Sequence, residues 1–146
     1  MKPLVTRGRC VSVRLVADHP DLPDFDDEIV DLQRELLSLL PEHVRDLRSA
    51  LSLATTDQGA RAAVQRLGHR LGGTAATVRL SAVGDVGRAI ERFSRARSQW
   101  TTRDVARVSA AVDALDAWAH EALSTGRLDL EGLLGDARVK ALSEAP

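Results

Sequence analysis

Apolar residues recur every three or four positions along most of the chain from Asp26 onward, which is the spacing that places side chains on one face of an α-helix. The first stripe continues beyond Pro41 and consists of Ile29, Leu32, Leu36, Leu39, Leu40, Val44, Leu47 and Leu51. Pro41 either starts a second helix at its first position or kinks one long helix, because proline has no backbone N–H to donate inside a helix.

Three further apolar stripes follow the first. They consist of Ala60, Val64, Leu67, Leu71, Ala75 and Val78; of Leu80, Val83, Val86, Ile90 and Phe93; and of Val105, Val108, Val112, Leu115, Ala119 and Ala122. Capping residues stand near their starts: Asp57 or Thr56, then Ser81, then Thr101 with Asp104 as a capping box. Because the linkers are short, neighbouring helices should be antiparallel. The pattern therefore predicts an all-α fold, an up-and-down antiparallel four-helix bundle.

The two ends of the chain differ from this helical part. Residues 1–25 contain a weak strand pattern around Val13 and then an acidic run with two prolines, and we interpret them as an N-terminal extension. Gly126 ends the last long helix, so residues 125–146 form a short C-terminal tail that either docks as an extra turn or frays. One bundle domain is expected at residues 26–124, since 146 residues are too few for two comfortable domains.

Composition and charge argue against several classes of function. A net charge of −1 and 3% aromatic residues do not fit a nucleic-acid binder, which normally has a basic face and stacking rings. The single Cys10 can form neither an internal disulfide nor a zinc site. No apolar run approaches the roughly 18 residues of a membrane span, and no Walker-type loop for ATP is present. We therefore expect a cytoplasmic protein with no metal site, no nucleic-acid partner and no membrane partner.

His69 faces away from the apolar stripe of its predicted helix. It is two positions from both Leu67 and Leu71, so it points about 160° from the core side. Gly68, Gly72 and Gly73 surround it, although each glycine inside a helix costs about 1 kcal/mol relative to alanine. Either the glycines clear an approach to the imidazole, with Gly73 one turn away on the same face, or they let two helices pack closely.

The sequence that begins at His69 resembles the signature of a known family. The run HRLGGTAA at residues 69–76 resembles the signature His-x-Leu-Lys-Gly-Ser-Ser/Ala-x of histidine phosphotransfer (Hpt) domains. The element formed by Pro41, Val44 and Leu47 and the later run Ala89–Glu91 also resemble the family. The resemblance covers roughly residues 26–124 and is consistent with a helical bundle.

The resemblance implies that His69 relays a phosphoryl group in a two-component phosphorelay, as a carrier without an ATP site and not as an enzyme. Its implied partners are the receiver domain of a response regulator and a sensor or hybrid histidine kinase. The receiver would hold Mg²⁺, and this chain would need no cofactor. Glu91 stands where the family often has Glu or Gln, which would accept from Nδ1–H and leave Nε2 as the nucleophile. The implied partner-docking surface consists of Gly72, Gly73, Ala62, Ala76 and Arg79.

One position departs from the signature, because Gly72 stands where the family usually has Lys. Arg66, Arg70 or Arg95 could supply the cation that neutralises the phosphoryl group. Without such a cation, the chain would be a degenerate Hpt domain that binds a receiver or kinase as a non-phosphorylated adaptor. A third alternative is a dimerisation or transcription-linked helical domain, which a basic face would favour. A metal-carboxylate bundle is excluded because no Glu-x-x-His pair exists.

Overall fold

The computed structural model describes residues 25–146, and every regular element in this range is a helix. The helices are α1 (Phe25–Leu51), α2 (Gln58–Thr77), α3 (Ser81–Arg95), α4 (Thr102–Thr125), α5 (Leu130–Gly135) and α6 (Ala137–Ser143). This confirms the predicted all-α fold class, although two short helices follow the four long ones. The weak strand pattern around Val13 lies outside the described residues.

Helix α1 is one continuous helix that contains Pro41. Of the two alternatives for Pro41, one long helix is therefore the one that the structure shows, and Pro41 interrupts neither the helix nor its buried stripe. The buried positions of α1 are Leu36, Leu37, Leu40, Val44, Leu47 and Leu51. Leu39 was expected in this stripe but is 43% exposed, whereas Leu37 is 5% exposed. The helical period explains the difference, since Leu39 is rotated by roughly 110° from the centre of the stripe and Leu37 by only about 50°.

From Gln33 onward the chain forms one unit with a continuous, mainly aliphatic core. Helix α1 is linked to α4 because the Arg48 guanidinium donates to Asp113 at 2.8 Å and to Asp116 at 3.3 Å. Helix α1 is also linked to the end of α2, where Gln33 Nε2 donates to the Val78 carbonyl at 2.9 Å. Most residues of the predicted stripes of α2, α3 and α4 lie in this core, with Leu67 and Val105 only partly buried at its edge.

The two short C-terminal helices add to this core. Leu133 of α5 and Val139 and Leu142 of α6 are all at most 2% exposed. Trp118 of α4 donates from Nε1 to the Asp129 carbonyl at 2.7 Å, directly before α5. Of the two alternatives for this segment, docking is therefore the one that the structure shows. The apolar period in residues 125–146 is too short to have predicted two separate helices.

The helix starts follow the predicted capping residues in two of three cases. The Asp57 side chain caps α2, and Thr101 forms a full capping box with Asp104 at the start of α4. Ser81 was expected to cap α3, but Leu80 occupies the N-cap position and makes no side-chain cap. The reason is the tight turn before it: Leu80 is fully buried and its N–H closes α2 by donating to the Ala75 carbonyl. Ser81 is thereby already the first residue of α3.

Arg97 joins the end of α3 to the start of α4. Its guanidinium lies 3.6 Å from the ring centre of Phe93, and its Nε is 3.3 Å from Asp104 Oδ1. Partial burial raises the pKa of Asp104, but hydrogen bonds from the Thr101 backbone and hydroxyl, together with the Arg97 charge, outweigh it. The pKa of Asp104 is therefore lower than its ordinary value. The folded state favours the ionised carboxylate of the capping box.

The capping box predicts a defined loss of stability. Thr101→Ala should lower the free energy of unfolding by about 1 kcal/mol, because the Asp104 N–H loses its cap. Asp104→Asn should also destabilise the protein near neutral pH. Since the folded pKa of Asp104 is lowered, the stabilisation is present above the unfolded pKa of about 3.9 and is lost as pH falls through the folded value. Urea unfolding of wild type and Asp104→Asn should therefore converge in acid, and a gap that persists there would contradict this.

The turn between α2 and α3 predicts a gain of stability. Arg79 has a φ of 60°, which is the left-handed region that favours glycine. Arg79→Gly should raise the free energy of unfolding by about 1 kcal/mol, because glycine adopts this conformation without the Cβ penalty. Arg79→Ala is the matched control, since it removes the long side chain but keeps the Cβ. An equal gain in both variants, measured by urea unfolding, would show that the backbone conformation is not the cause.

Candidate functional site

His69 projects into solvent from the middle of α2. Its side chain is 76% exposed, whereas Val64 and Leu71 of the same helix are fully buried. The exposure predicted from the helical period is therefore confirmed. A ring in this position is open to a second protein along one whole face of α2.

Glu91 of α3 fixes the orientation of the His69 ring. Nδ1 of His69 lies 3.2 Å from Oε1 of Glu91, whose side chain is only 15% exposed. Arg95, one turn further along α3, donates from Nη2 to the same oxygen. An ionised carboxylate can only accept, so the ring proton belongs on Nδ1 and the lone pair of the ring on Nε2. The unprotonated Nε2 is therefore the ring nitrogen that does not face Glu91, on a side chain that is 76% exposed.

Glycines bring α2 and α3 into backbone contact at the level of His69. A Cβ on Gly68 would lie 2.8 Å from the Gly87 carbonyl oxygen and 2.9 Å from the Glu91 nitrogen. A Cβ on Gly87 would lie 2.6 Å from the Gly72 nitrogen and 2.7 Å from the Gly68 oxygen. Neither position accepts a side chain without a shift of backbone. This close approach is what allows the short Glu91 side chain to reach the ring.

Comparison with known protein families identifies this arrangement. The sequence model of the Hpt domain matches residues 31–118, which is more than half of the chain and includes both His69 and Glu91. The chain belongs to the Hpt domain family. Hpt domains are the histidine phosphotransfer modules of phosphorelays; they carry phosphate and interact with the receiver and kinase components of two-component systems. No curated protein and no solved structure gave a significant match.

The residues expected to form the docking surface of this Hpt domain do not all share one environment. Gly73, Ala76 and Arg79 are exposed and Ala62 is half-buried, and a Cβ on Gly73 would meet nothing within 4 Å. Gly72 differs, because it is buried against α3 instead of facing a partner. The two explanations for the glycines therefore apply to different residues: Gly73 leaves the surface open, while Gly72 lets the helices approach.

Arginine is the main charged residue type on the exposed surface of α2 and α3. Helix α2 has no acidic residue, and the two acidic residues of α3, Asp85 and Glu91, are both paired with arginines. Arg66 and Arg70 are exposed beside His69, as the sequence suggested, and Arg95 is held by Glu91. The site helices are therefore positively charged within a chain whose net charge is −1.

Arg88 lies across the contact between α2 and α3, and sequence reasoning did not single it out. Its side chain crosses from α3 to α2, because a Cβ on Gly72 would lie 3.3 Å from Arg88 Cγ. Its guanidinium pairs with Asp85 at 2.5 Å and is about half exposed. The sequence gave a weak signal only, namely that Arg88 precedes Glu91 by one helical turn. Its crossing to Gly72 depends on the helix contact, which the pattern does not reveal.

No set of three or more His, Cys, Asp or Glu side chains within residues 25–146 is arranged to hold a metal ion.

None of the helices in the described part of the chain has the length and apolar character needed to cross a membrane.

The helix contact predicts that Gly68 controls the His69 tautomer. Gly68→Ala should push α3 away at Glu91, weaken the bond to Nδ1 and give a mixture of the two neutral tautomers. Nitrogen-15 chemical shifts of the imidazole would measure the ratio. Gly73→Ala is the control, since its Cβ meets nothing within 4 Å and the tautomer should not change. The same Nδ1–H population in Gly68→Ala and wild type would contradict the assignment.

Proposed function

We propose that this Hpt domain carries a phosphoryl group on Nε2 of His69 and exchanges it with the phosphorylated aspartate of a response-regulator receiver domain. The observation that carries the proposal is the bond between Glu91 and Nδ1 of a largely exposed histidine. A buried or differently bonded histidine in the same motif would not present Nε2 to a partner. A sensor or hybrid histidine kinase is the proposed source of the phosphate.

The proposed transfer balances without a general base. The Nε2 lone pair forms the new N–P bond, while the bond between phosphorus and the receiver aspartate oxygen breaks and its electron pair leaves with the carboxylate. The proton on Nδ1 stays in place, so the phosphorylated ring carries a positive charge. Glu91, 3.2 Å from Nδ1, stabilises that charge. Mg²⁺ belongs to the receiver in this proposal, and the Hpt domain itself needs no cofactor.

The proposed docking surface is the outer face of α2 around His69. Gly73, Ala62 and Ala76 have small or no side chains there, so the backbone of α2 is accessible to a second protein. Arg79 lies beyond them in the turn to α3. A transient signalling contact of this kind buries roughly 1,200 Å² or less, which suits a carrier that must release each partner. The positive charge of α2 suits a receiver whose acceptor aspartate and bound phosphate are negative.

The alternative function is a helical adaptor that binds a receiver or kinase without accepting phosphate. Gly72 in place of the signature lysine favours it, because the phosphoryl group would lack one neutralising charge. The arginine-rich surface would also suit the third alternative, a dimerisation or transcription-linked domain. The match to the Hpt family over residues 31–118 disfavours the third alternative, and the Glu91–His69 bond supports the carrier over the adaptor.

A transfer assay tests the proposal. The protein is incubated with a panel of receiver domains that have been phosphorylated on aspartate with a radioactive label. The expected result is rapid loss of label from at least one receiver and a label on the Hpt domain that is stable in base and labile in acid, as expected for phosphohistidine. His69→Gln should abolish the transfer, because its amide offers no nucleophilic nitrogen.

His120→Gln is the matched control, since His120 is also an exposed helical histidine but lies on α4, where it hydrogen-bonds to the Asp116 carbonyl. The His120→Gln variant should accept label at the wild-type rate. If receivers bind the wild-type protein but none of them transfers label to it, the result supports the adaptor and overturns the carrier.

A further inference from the structure

The position three residues after His69 is occupied in an unusual way. Gly72 has no side chain, and the Arg88 stem lies directly over it, with Arg88 Cγ 3.3 Å from where a Cβ would stand. The Arg88 side chain then continues along α3, so that its guanidinium lies 3.4 Å from the Cβ position of Gly84. The space that a side chain at residue 72 would use is therefore filled by an arginine from the neighbouring helix.

We propose that Arg88 is the phosphoryl-binding cation of this Hpt domain and replaces, from α3, the lysine that Gly72 lacks on α2. The inference rests on the proposed function of His69. Its ligand is the dianionic phosphoryl group, first on the incoming receiver aspartate and then on Nε2. Neither the helical pattern nor the family signature assigns Arg88 a role.

The location of Arg88 supports this assignment. Arg88 precedes Glu91 by three residues, so both project from the same side of α3, and Glu91 reaches His69. On α2, Gly72 follows His69 by three residues and lies on an adjacent part of the helix surface. The arginine stem therefore stands one helical turn, about 5.4 Å, from the level of the ring. The guanidinium itself lies beside Gly84 and Asp85, on the side away from Glu91, so Arg88 must rotate about its side-chain torsions to reach Nε2.

The present partner of Arg88 allows it to move. The guanidinium pairs with Asp85 at 2.5 Å, but both side chains are about half exposed, and such exposed ion pairs are weak. A phosphoryl group carries more negative charge than one carboxylate and offers three acceptor oxygens, so it competes well for the same guanidinium. Arg88 would exchange Asp85 for the phosphoryl group when a receiver docks or when His69 is phosphorylated.

The other arginines near His69 are less suited than Arg88 to bind the phosphoryl group. Arg95 is bound to Glu91, and its release would free the carboxylate that orients His69. Arg70 follows His69 directly, so it points about 100° away around α2. Arg66 is exposed one turn before His69, on the side of the ring opposite to Gly72, and no contact brings it toward the position of the missing lysine.

A side-chain exchange tests the proposal. Arg88→Ala should slow phosphotransfer from a receiver to His69 roughly ten-fold or more, since it removes one charged donor from the phosphoryl group. The double variant Arg88→Ala/Gly72→Lys should recover most of the lost rate, because removal of the arginine stem opens the space in which the lysine stands. Arg92→Ala is the control: it is an exposed arginine on the same helix, and its rate should match wild type. A wild-type rate in Arg88→Ala, or no recovery in the double variant, would overturn the proposal.

A second measurement separates this inference from the proposed function. Phosphoramidate phosphorylates histidine without a protein donor, and phosphorus-31 NMR then reports the pKa of the phosphoryl group on His69. A neighbouring guanidinium lowers that pKa, so Arg88→Ala should raise it, Arg88→Lys should leave it largely lowered, and Arg92→Ala should not change it. An unchanged pKa in Arg88→Ala would refute the role of Arg88. A failure of every receiver to label the wild type would refute only the proposed transfer.

Discussion

The backbone contact between α2 and α3 is the constraint on which the site depends. Gly68 and Gly87 meet so closely that a Cβ on either would lie less than 3 Å from backbone atoms of the other helix. With any larger residue the helices would stand further apart, and Glu91 would no longer reach Nδ1 at 3.2 Å. The cost in helix propensity, about 1 kcal/mol for each glycine, is therefore offset by a contact that positions the functional ring.

The electrostatics of the site follow from this geometry. Glu91 is only 15% exposed and accepts from both His69 and Arg95, so its charge is shared between an arginine and the imidazole. Arg95 donates to the carboxylate, and the carboxylate in turn accepts from Nδ1–H and so fixes the tautomer of the ring. A largely exposed histidine thus gains a defined orientation from a neighbour that is itself mostly buried.

The sequence predicted the parts of this protein that depend on local rules. The apolar period predicted the four long helices and the exposure of His69, and the Thr101–Asp104 pattern predicted the capping box. It did not predict the start of α3, since Leu80 there is determined by burial in a tight turn and not by a capping side chain. The two C-terminal helices were not predicted either. Six or seven residues make less than two helical turns, which is too short for an apolar period to be recognised, and these helices are stabilised by packing on the core.

The sequence predicted those site residues that a pattern within a single helix identifies, but not the contact between Gly72 on α2 and Arg88 on α3. His69 could be named from the family signature and Glu91 from the resemblance of the next helix, but Gly72 was expected to be a docking position, and the structure places it beneath Arg88. Residues 72 and 88 compete for the same volume between the helices. A long side chain at position 72 would clash with a long side chain that crosses from position 88. With Arg88 as proposed, a lysine on α2 and an arginine on α3 are two ways to bring a cation to the same phosphoryl group. On this argument the loss of the signature lysine does not by itself mark a degenerate domain, because the helix that orients His69 through Glu91 also carries the replacing charge.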